Sequence, residues 1–387
     1  MVEKLIPINY KERWEKVRNS MAKKGLSAII AYGNTKIIGN ALYLADYLPR
    51  FGGYESIGGR DHVLFGSCSI LFPLESEPVL LTDLGWDVLR AQEESQMPDT
   101  RHSNDFGGDL AKIIKDRNIR GVVDIEPWPI FPAMAFQSLT GMCSNTIFGP
   151  TRLIESVRRI KEPAEIQRLR EAERITEMGV KAGMEAIAEG VSEHEITNAV
   201  ESTLRKYGDL LLGGNSIVGT GTHTWSGAVS PKKDIFVKRG DIVQFDVCGR
   251  YENYAGDVSR VAALDEPNKD VKKLYDAVLD MNNQLREAVK PGAIPAELHK
   301  LAHQVAKNHG FDDENLTSLT GHGVGLDIHE PPDYGKDETP LEKNMLITVE
   351  PCLVWKDVAG IRIEDLLLLT EEGNESLSKS SRELVLK

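Results

Sequence analysis

Length, composition and charge place this chain among globular proteins with two domains. Its 387 residues exceed the ~250–300 at which one hydrophobic core usually stops growing, and 41% of them are apolar, enough to fill two cores. The 46 basic and 59 acidic residues give a net charge of −13, and no run of Lys or Arg is long enough to follow a phosphate backbone, which excludes nucleic acid as a partner.

Neither a membrane span nor a secretion signal is indicated. Nowhere do about 18 uncharged apolar residues run together, and the first residues lack an apolar stretch followed by a small-residue cleavage site. We therefore expect a cytoplasmic protein with no membrane partner.

The first third of the chain alternates between helical and strand-like patterns. Residues 10–25 have helical spacing and end at Gly25, and LSAIIAYG follows as a buried strand. No glycine-rich phosphate-binding motif follows any strand, so the fingerprint of a nucleotide-binding fold is missing. We predict an α/β domain over residues 1–157. Its further strands and helices are expected in HVLFGSCSILFPL, PVLLTDL, GVVDI, DVLRAQEESQ and GGDLAKIIKDR.

From residue 158 the pattern changes to long amphipathic helices, with strands further on. Pro163 suits the first turn of a helix predicted over 162–187, and Ser192 with Glu195 forms a capping box at the start of the next helix. We predict an α+β domain over residues 158–387. Its later helices and strands are expected at 267–289 and 294–309, and in DIVQFDVCGRY, NYAGDVSRVAAL, MLITVEPCLV and GIRIEDLLLLT.

Asp246 and Asp257 interrupt two otherwise apolar strands. A tight turn at Tyr251-Glu252 would place them directly opposite each other, where Cβ atoms lie only ~4.5–5.5 Å apart and like charges destabilise the pair. A bound cation would compensate this repulsion.

A second pair of acids repeats the pattern near the end of the chain. A loop centred on Asp357 would set Glu350 opposite Glu364, and four carboxylates on two hairpins favour more than one cation. The alternative is that these acids lie on the solvent face of edge strands. For all four together we favour the metal site, since their neighbours are Phe, Val, Ile or Leu.

Other metal-binding residue types give weaker signals. The four cysteines form no CxxC pair, and we expect them to be small buried side chains. Cys248 lies two residues after Asp246 and so can reach the same site, although core packing is favoured. His299 and His303 are spaced as HxxxH but lack the glutamate of a zinc-peptidase motif, so we interpret them as a surface pair on a helix.

Between the two acidic hairpins lies TGHGVGLDIHEPPDYG, whose glycines permit close backbone approach. With FDVCGRYENYAGDVSR, ITVEPCL and GIRIED, this segment resembles the pita-bread (creatinase/aminopeptidase) family, which includes Xaa-Pro aminopeptidase, prolidase, methionine aminopeptidase and creatinase. The resemblance covers about 158–375. It implies a C-terminal pita-bread domain, and the preceding third looks like the smaller creatinase-type N-terminal domain of the Xaa-Pro branch.

The resemblance also implies a dinuclear metal site. Asp246 would bind one ion, His322 and Glu350 the other, and Asp257 and Glu364 would bridge both, with a hydroxide between the ions attacking a carbonyl. Four oxygen donors and one imidazole favour manganese, then cobalt or iron, with zinc possible.

Further residues receive roles from the same resemblance. Glu350 would act as general base, and His329 would steady the substrate or intermediate. Arg362, on the same strand face as Glu364, would bind substrate or orient a bridging carboxylate.

The substrate-reading residues depart from the family. A pocket histidine expected about 17 residues before the first Asp ligand is replaced by Val229, and a histidine expected four residues before His322 is replaced by Ser318. The segment GTGTHTWSGAVSP offers His223 as a catalytic substitute and Trp225 as a substrate contact; the alternative is that His223 has another role.

Three functions follow, in order of preference. The first is a hydrolase of X-Pro bonds in dipeptides or at peptide N-termini, like prolidase or Xaa-Pro aminopeptidase. The second uses the same metal site on a small non-peptide amide or amidine, and the third is a non-catalytic binding module.

The resemblance further implies a homodimer. In related dimers a loop of the partner's N-terminal domain closes the pocket, and YLADYLPRFGGYESIGGR, with Arg50 and Arg60, is either this loop or an ordinary surface loop.

Overall fold

The computed structural model describes residues 4–49, 53–55, 63–316 and 320–387, with the backbone alone described at 53–55 and 63–65. The chain divides into two units, one of residues 8–158 and one of residues 159–387 with the segment before residue 8. The first is α/β and the second is α+β, so the predicted fold class is confirmed.

The first unit is built on a six-stranded mixed sheet. Its strand order is β6-β5-β4-β1-β7-β8, with β4 antiparallel to both β1 and β5 and the other neighbours parallel. The elements of this unit are α1 Tyr10–Lys24, β1 Leu26–Asn34, α2 Gly39–Ala45, β2 Gly53–Glu55, β3 Val63–Phe65, β4 Ser67–Pro73, β5 Val79–Thr82, α3 Asp87–Glu94, β6 Asp99–His102, α4 Phe106–Asp116, β7 Gly121–Glu126, α5 Ala133–Met142, β8 Thr146–Gly149 and α6 Leu153–Arg158.

The opening helix and strand form where they were predicted. Asn9 caps α1 by accepting the backbone N–H of Glu12, and Gly25 ends it in the left-handed region with φ 67°. The strand β1 that follows is buried along nearly its whole length because it lies in the middle of the sheet.

The second unit begins with two capped helices. Glu162 and Glu165 form a capping box at the start of α7, with Pro163 in its first turn, and Ser192 and Glu195 form another at α8. Both predicted helix starts are confirmed. The elements of this unit are α7 Pro163–Glu185, α8 Glu193–Tyr207, β9 Ile217–Thr220, β10 Ile242–Val247, β11 Arg250–Tyr251, β12 Tyr254–Ala255, β13 Val258–Ala263, α9 Lys269–Ala288, α10 Pro295–Asn308, β14 His322–Gly323, β15 Glu330–Asp333, β16 Leu346–Val349, β17 Cys352–Trp355, β18 Ala359–Arg362, β19 Asp365–Leu369, β20 Asn374–Ser376 and β21 Val385–Leu386.

Two sheets, each packed against one pair of helices, form the second unit. The sheet β21-β13-β10-β9 shares a hydrophobic core with α7 and α8, and the sheet β15-β14-β16-β19-β20 shares another with α9 and α10. The inner strands β10, β13, β16 and β19 are buried along their whole length.

The predicted register of the first acidic hairpin is wrong. The turn lies at Glu252 and Asn253, both of which have positive φ, one residue later than expected. This shift moves the pairing by two residues, so that Asp246 lies opposite Ser259 rather than opposite Asp257.

The predicted register of the second acidic hairpin is confirmed on both sides of the acids. Val349 pairs with Asp365, and Cys352 pairs with Arg362. The strands are not continuous, however. Glu350 lies between β16 and β17, and Glu364 lies between β18 and β19, where it forms an isolated bridge with Ser259.

The remaining predictions have mixed outcomes. No disulfide forms among the described residues, and of the four cysteines only Cys248 is not fully buried. Among the described residues no helix is long and apolar enough to cross a membrane. Arg50, Arg60 and Ser318 lie outside the described residues.

Candidate metal centre

Most of the predicted ligands lie at breaks between short strands. Asp257 precedes β13, Glu350 follows β16 and Glu364 precedes β19, while Asp246 lies inside β10 and His322 begins β14. At a break the backbone leaves the ladder, which lets side chains from neighbouring strands converge on one point. These five side chains are buried, each with at most 6% of its surface exposed.

Four of the five predicted ligands fall in two donor groups that share Asp257, and Glu350 belongs to neither group. Donor atoms of Asp257, His322 and Glu364 all lie within 4.8 Å of one another, and so do those of Asp246, Cys248 and Asp257. The Cys248 thiol donates to Asp257 Oδ1 over 3.1 Å, so this side chain contacts the site instead of only packing in the core. The structure thus brings Asp246 and Asp257 close together, although they are not the directly opposite pair that was predicted.

Local hydrogen bonds orient His322 toward the carboxylates. Its Nδ1 donates to the carbonyl of Gly323 over 2.9 Å, which directs Nε2 into the site. Nε2 lies 2.9 Å from Glu350 Oε1 and 3.6 Å from Asp257 Oδ2. A fixed ring with one nitrogen facing two carboxylates is suited to binding a cation.

Hydroxyl groups that the sequence analysis missed hold the acids in place. Thr348 Oγ1 accepts the backbone N–H of His322 and donates to Glu350 Oε1, both over 3.0 Å. Ser259 Oγ donates to Glu364 Oε2 over 2.7 Å. Each hydroxyl lies two residues from a ligand, and residues two apart on a strand point to the same face. This spacing could have identified both hydroxyls from the sequence.

Two buried side chains on helices also support the acids from behind. Glu173 of α7 accepts the backbone N–H of Asp257 over 2.9 Å. Asn282 of α9 donates to the carbonyls of Val349 and Ile363, both over 3.1 Å, directly before Glu350 and Glu364. Neither helix residue is near a ligand in sequence, so no local pattern identifies them.

Arg362 contacts different carboxylates from those we predicted. Its Nη1 donates to Asp246 Oδ2, and its Nε lies 3.6 Å from Glu350 Oε2. The bridging acids of the resemblance, Asp257 and Glu364, are not among its described ion-pair partners. The side-chain amide of Gln244 donates to the carbonyl of Arg362 over 3.2 Å and accepts its backbone N–H over 2.9 Å, which aligns Arg362 with β10 and so with Asp246.

Burial and mutual repulsion dominate the electrostatics of the acids. Burial, followed by the charge of Asp246, raises the pKa of Asp257 to about 8. The pKa of Glu364 is likewise raised by burial and then by the charge of Asp257. Burial is the larger cause of both shifts, and repulsion between the neighbouring carboxylates adds to it.

His322 and Glu350 shift in the opposite sense because each neutralises the other. Burial alone would lower the pKa of His322, but the carboxylate of Glu350 raises it to about 9. Burial would likewise raise the pKa of Glu350, but His322 lowers it to about 2. Each of the two groups thus stabilises the charged form of the other.

The donor set fits divalent metal ions. Converging carboxylates with raised pKa values, together with one oriented imidazole, need a cation, and oxygen-rich sets of this kind suit harder ions. Asp257 belongs to both donor groups, so it is placed to contact an ion in each.

His329 lies at the edge of this site. Its ring centroid is 4.3 Å from that of His322, and the next residue, Glu330, is buried and paired with Lys161 over 3.0 Å. Desolvation of the ring and the facing His322 lower the pKa of His329, although the side chain still reaches solvent. A neutral imidazole beside the candidate ligands is therefore available to a bound molecule.

The structure places His223 and Trp225 in a different environment. His223 Nδ1 lies 2.8 Å from Oε1 of the buried Glu193, which also accepts the backbone N–H groups of Thr220 and Lys232. His223 and Trp225 line a cavity of about 680 Å³, and none of the five predicted ligands is among the described residues that line it. The predicted catalytic role of His223 stays a prediction.

Known proteins resemble this chain along most of its length. The Xaa-Pro dipeptidase of Pyrococcus furiosus is 29% identical over 97% of this chain and 100% of its own length. The structure of an Xaa-Pro dipeptidase from Bacillus anthracis matches with a TM-score of 0.83 at 26% identity, covering 98% of this chain and 100% of its own. The prolidase from Pyrococcus horikoshii OT3 gives a TM-score of 0.82 at 27% identity, with coverages of 97% and 100%.

The family match falls on the second unit. The model of metallopeptidase family M24 matches residues 167–371, which is more than half of the 387 residues and includes all five predicted ligands. The pita-bread fold expected from the sequence is confirmed by these likenesses. The chain belongs to metallopeptidase family M24.

Proposed function

We propose that this protein is a metal-dependent hydrolase of X-Pro bonds, in dipeptides or at the N-terminus of peptides. The observation that carries the proposal is the convergence of donor atoms in two groups that share Asp257, with Glu350 beside them at 2.9 Å from His322; the groups contain the predicted ligands Asp246, Asp257, His322 and Glu364. The likeness to proteins named Xaa-Pro dipeptidase and prolidase over nearly the whole chain supports the choice of substrate.

The proposal assigns catalysis to residues 158–387, as the pita-bread domain. Residues 1–157 form the creatinase-type N-terminal domain in this assignment. All five candidate ligands come from the second part of the chain, and the family match begins at residue 167. Both features support the division.

Within the site we assign two divalent ions, with manganese first and cobalt, iron or zinc as alternatives. Asp246 would hold one ion, His322 and Glu350 the other, and Asp257 and Glu364 both. When bound, such ions acidify water and stabilise negative charge on a carbonyl oxygen. The shared membership of Asp257 in two donor groups supports this arrangement.

The protein side chains supply proton transfer and orientation. Glu350 accepts the proton of the attacking water at its carboxylate, which Thr348 holds in place by donating to Oε1. His329, neutral and partly exposed beside His322, contacts the substrate. Arg362 keeps Asp246 oriented and offers a positive charge to the substrate.

A homodimer in the cytoplasm completes the proposal. The dimer follows from the family resemblance, and four cysteines that form no disulfide among the described residues fit a reducing compartment. Light scattering on the purified chain and fractionation of source cells test these two statements separately.

The deciding experiment is hydrolysis after metal reconstitution. The protein is stripped with EDTA, reloaded with Mn²⁺ or Co²⁺, and assayed on Gly-Pro, Leu-Pro, an Arg-Pro-Pro-type peptide and several small amides. Release of the residue before proline, lost again on chelation, is expected. Stoichiometric metal binding without cleavage of any proline bond would instead direct the search to non-peptide substrates.

The role of His223 is tested on the same panel. If His223 replaces the missing pocket histidine, His223→Ala lowers kcat and Trp225→Ala raises KM, with metal content unchanged in both. A full rate in His223→Ala would remove this residue from the catalytic set and leave its bond to Glu193 as a structural contact.

A further inference from the structure

Two histidines on α10 face each other away from the predicted ligand set. His299 and His303 are one helical turn apart, so they lie on the same face of the helix. Their rings are 4.6 Å apart between centroids, and their Nε2 atoms are 3.1 Å apart. Two nitrogens at this separation can both bind one ion at the usual Zn–N distance of about 2.0–2.1 Å.

The outer nitrogens of both rings have oxygen partners. His303 Nδ1 lies 2.8 Å from Asp313 Oδ1, and His299 Nδ1 lies 2.9 Å from Thr320 Oγ1. A histidine whose second ring nitrogen donates to a carboxylate or another oxygen is the arrangement found around bound metals, where it orients the ring and raises its basicity.

Proton positions make the pair a binding site for a cation. The carboxylate of Asp313 only accepts, so Nδ1 of His303 carries a proton, and Nε2 of His303 faces Nε2 of His299 over 3.1 Å. In this contact one Nε2 offers a lone pair, which accepts either the proton of the other ring or a metal ion between the rings. Burial and the nearby His303 lower the pKa of His299, which favours the neutral form that binds metal.

We propose that His299 and His303 form a second metal site, separate from the acidic centre, for one divalent ion of the imidazole-preferring class such as Zn²⁺, Ni²⁺ or Cu²⁺. Water completes the coordination. The spacing is that of paired metal-binding histidines on a helix, without the glutamate needed for hydrolysis, so the site binds and does not catalyse. The pair lies partly exposed on α10, as predicted from the sequence, and the proposal adds a metal-binding role to it.

The contacts of the pair connect this site to the acidic centre. Thr320, which faces His299, lies two residues before His322, and its carbonyl accepts the backbone N–H of Glu350 over 3.1 Å. Occupancy of the second site therefore fixes the start of the segment that carries His322. The proposal does not depend on the substrate of the acidic centre.

The test uses Cu²⁺ as a spectroscopic probe on the full-length protein. The acidic centre is first saturated with Mn²⁺, and one equivalent of Cu²⁺ is then added while electron paramagnetic resonance records both ions. We expect one Cu²⁺ per chain, with splittings from two imidazole nitrogens and no release of Mn²⁺. Binding that releases Mn²⁺ in proportion, or no binding, would overturn the proposal.

Single substitutions test which side chains supply the two nitrogens that bind Cu²⁺. His299→Ala and His303→Ala are each expected to weaken Cu²⁺ binding at least tenfold and to remove the two-nitrogen signal, and Asp313→Asn to weaken it by about tenfold. His303→Gln keeps a polar side chain should the alanine variant fold poorly. His309→Ala, a control at the end of the same helix whose Nε2 faces Asp280, leaves binding unchanged. An unaltered two-nitrogen signal in both His299→Ala and His303→Ala would contradict the assignment.

Discussion

Asp257 belongs to both groups of donors at the acidic centre, so its charge is the one whose removal affects the site most. We expect Asp257→Asn, which keeps the shape but removes the charge, to lose metal and to lower kcat/KM by about a thousandfold or more, since bound ions contribute several kcal/mol to catalysis. Elemental analysis and the dipeptide assay measure the two effects. Asp265→Asn, an exposed acid on the same hairpin, serves as the control. Full metal content in Asp257→Asn would refute the assignment.

Protons compete with metal at two of the predicted ligands. Metal requires His322 without its Nε2 proton and Asp257 ionised, whereas their pKa values are raised to about 9 and about 8. Apparent affinity for Mn²⁺ should therefore rise with pH, by up to about tenfold per pH unit for each proton displaced, and level off above pH 9. Calorimetric titration at pH 6, 7, 8 and 9 measures this rise. Equal affinity across that range would contradict it.

Single residues differ in how far the sequence reveals them. An acid among apolar strand residues is recognised as unusual from the sequence, because burying an unpaired charge costs much free energy. This made four of the ligands predictable: Asp246, Asp257, Glu350 and Glu364. Core packing was favoured for Cys248 in the sequence analysis, because its hydrogen bond to Asp257 depends on the register of the hairpin. Glu173 supports Asp257 from a helix that precedes it by many residues, so only the folded structure reveals the contact.

At the scale of elements, turn chemistry decided which hairpin was predicted well. The first hairpin turns through Glu252 and Asn253 with φ of 49° and 68°, a left-handed conformation that glutamate adopts rarely, so no clear turn signal marks this position. The second turns near Asp357, with φ of 63°, a residue type that tolerates this region. The strand breaks at Glu350 and Glu364 could not be predicted from the sequence of either turn, because tertiary contacts cause them.

Asn282 of α9 joins the two strands that precede Glu350 and Glu364. We expect Asn282→Ala to reduce the free energy of unfolding by about 2–4 kcal/mol, because the carbonyls of Val349 and Ile363 lose their described side-chain donor while buried. Metal affinity should fall as well, since these carbonyls set the positions of the two acids. Urea unfolding and Mn²⁺ titration measure both quantities.

The control for this prediction is another asparagine in a helix. Asn308→Ala, on the exposed end of α10, should change the unfolding free energy by less than about 0.5 kcal/mol. If Asn282→Ala unfolds like Asn308→Ala and binds Mn²⁺ normally, the side chain does not position the acids.

For the whole molecule, the sequence indicated two regions with different patterns of helices and strands, but it did not indicate the order of the strands in their sheets. Strand order depends on pairings between distant residues, such as β21 beside β13 and β4 beside β1, which hydrophobic periodicity does not report. Helix positions were predicted more closely, because caps at Gly25, Ser192 and Pro163 act locally.

The placement of all five candidate ligands in one unit predicts where metal stabilises the protein. An ion that binds only the native state adds about 2.7 kcal/mol at a hundredfold excess over its dissociation constant, and this energy protects the segments that hold the ligands. We expect Mn²⁺ to slow hydrogen exchange in β10, β13, β16 and β19 and to leave β1, β4 and β7 nearly unchanged. Mass spectrometry of peptic fragments measures both sets. Protection in the first set should vanish in Asp257→Asn, and equal protection of both sets in the wild type would show that metal acts on the chain outside the predicted centre.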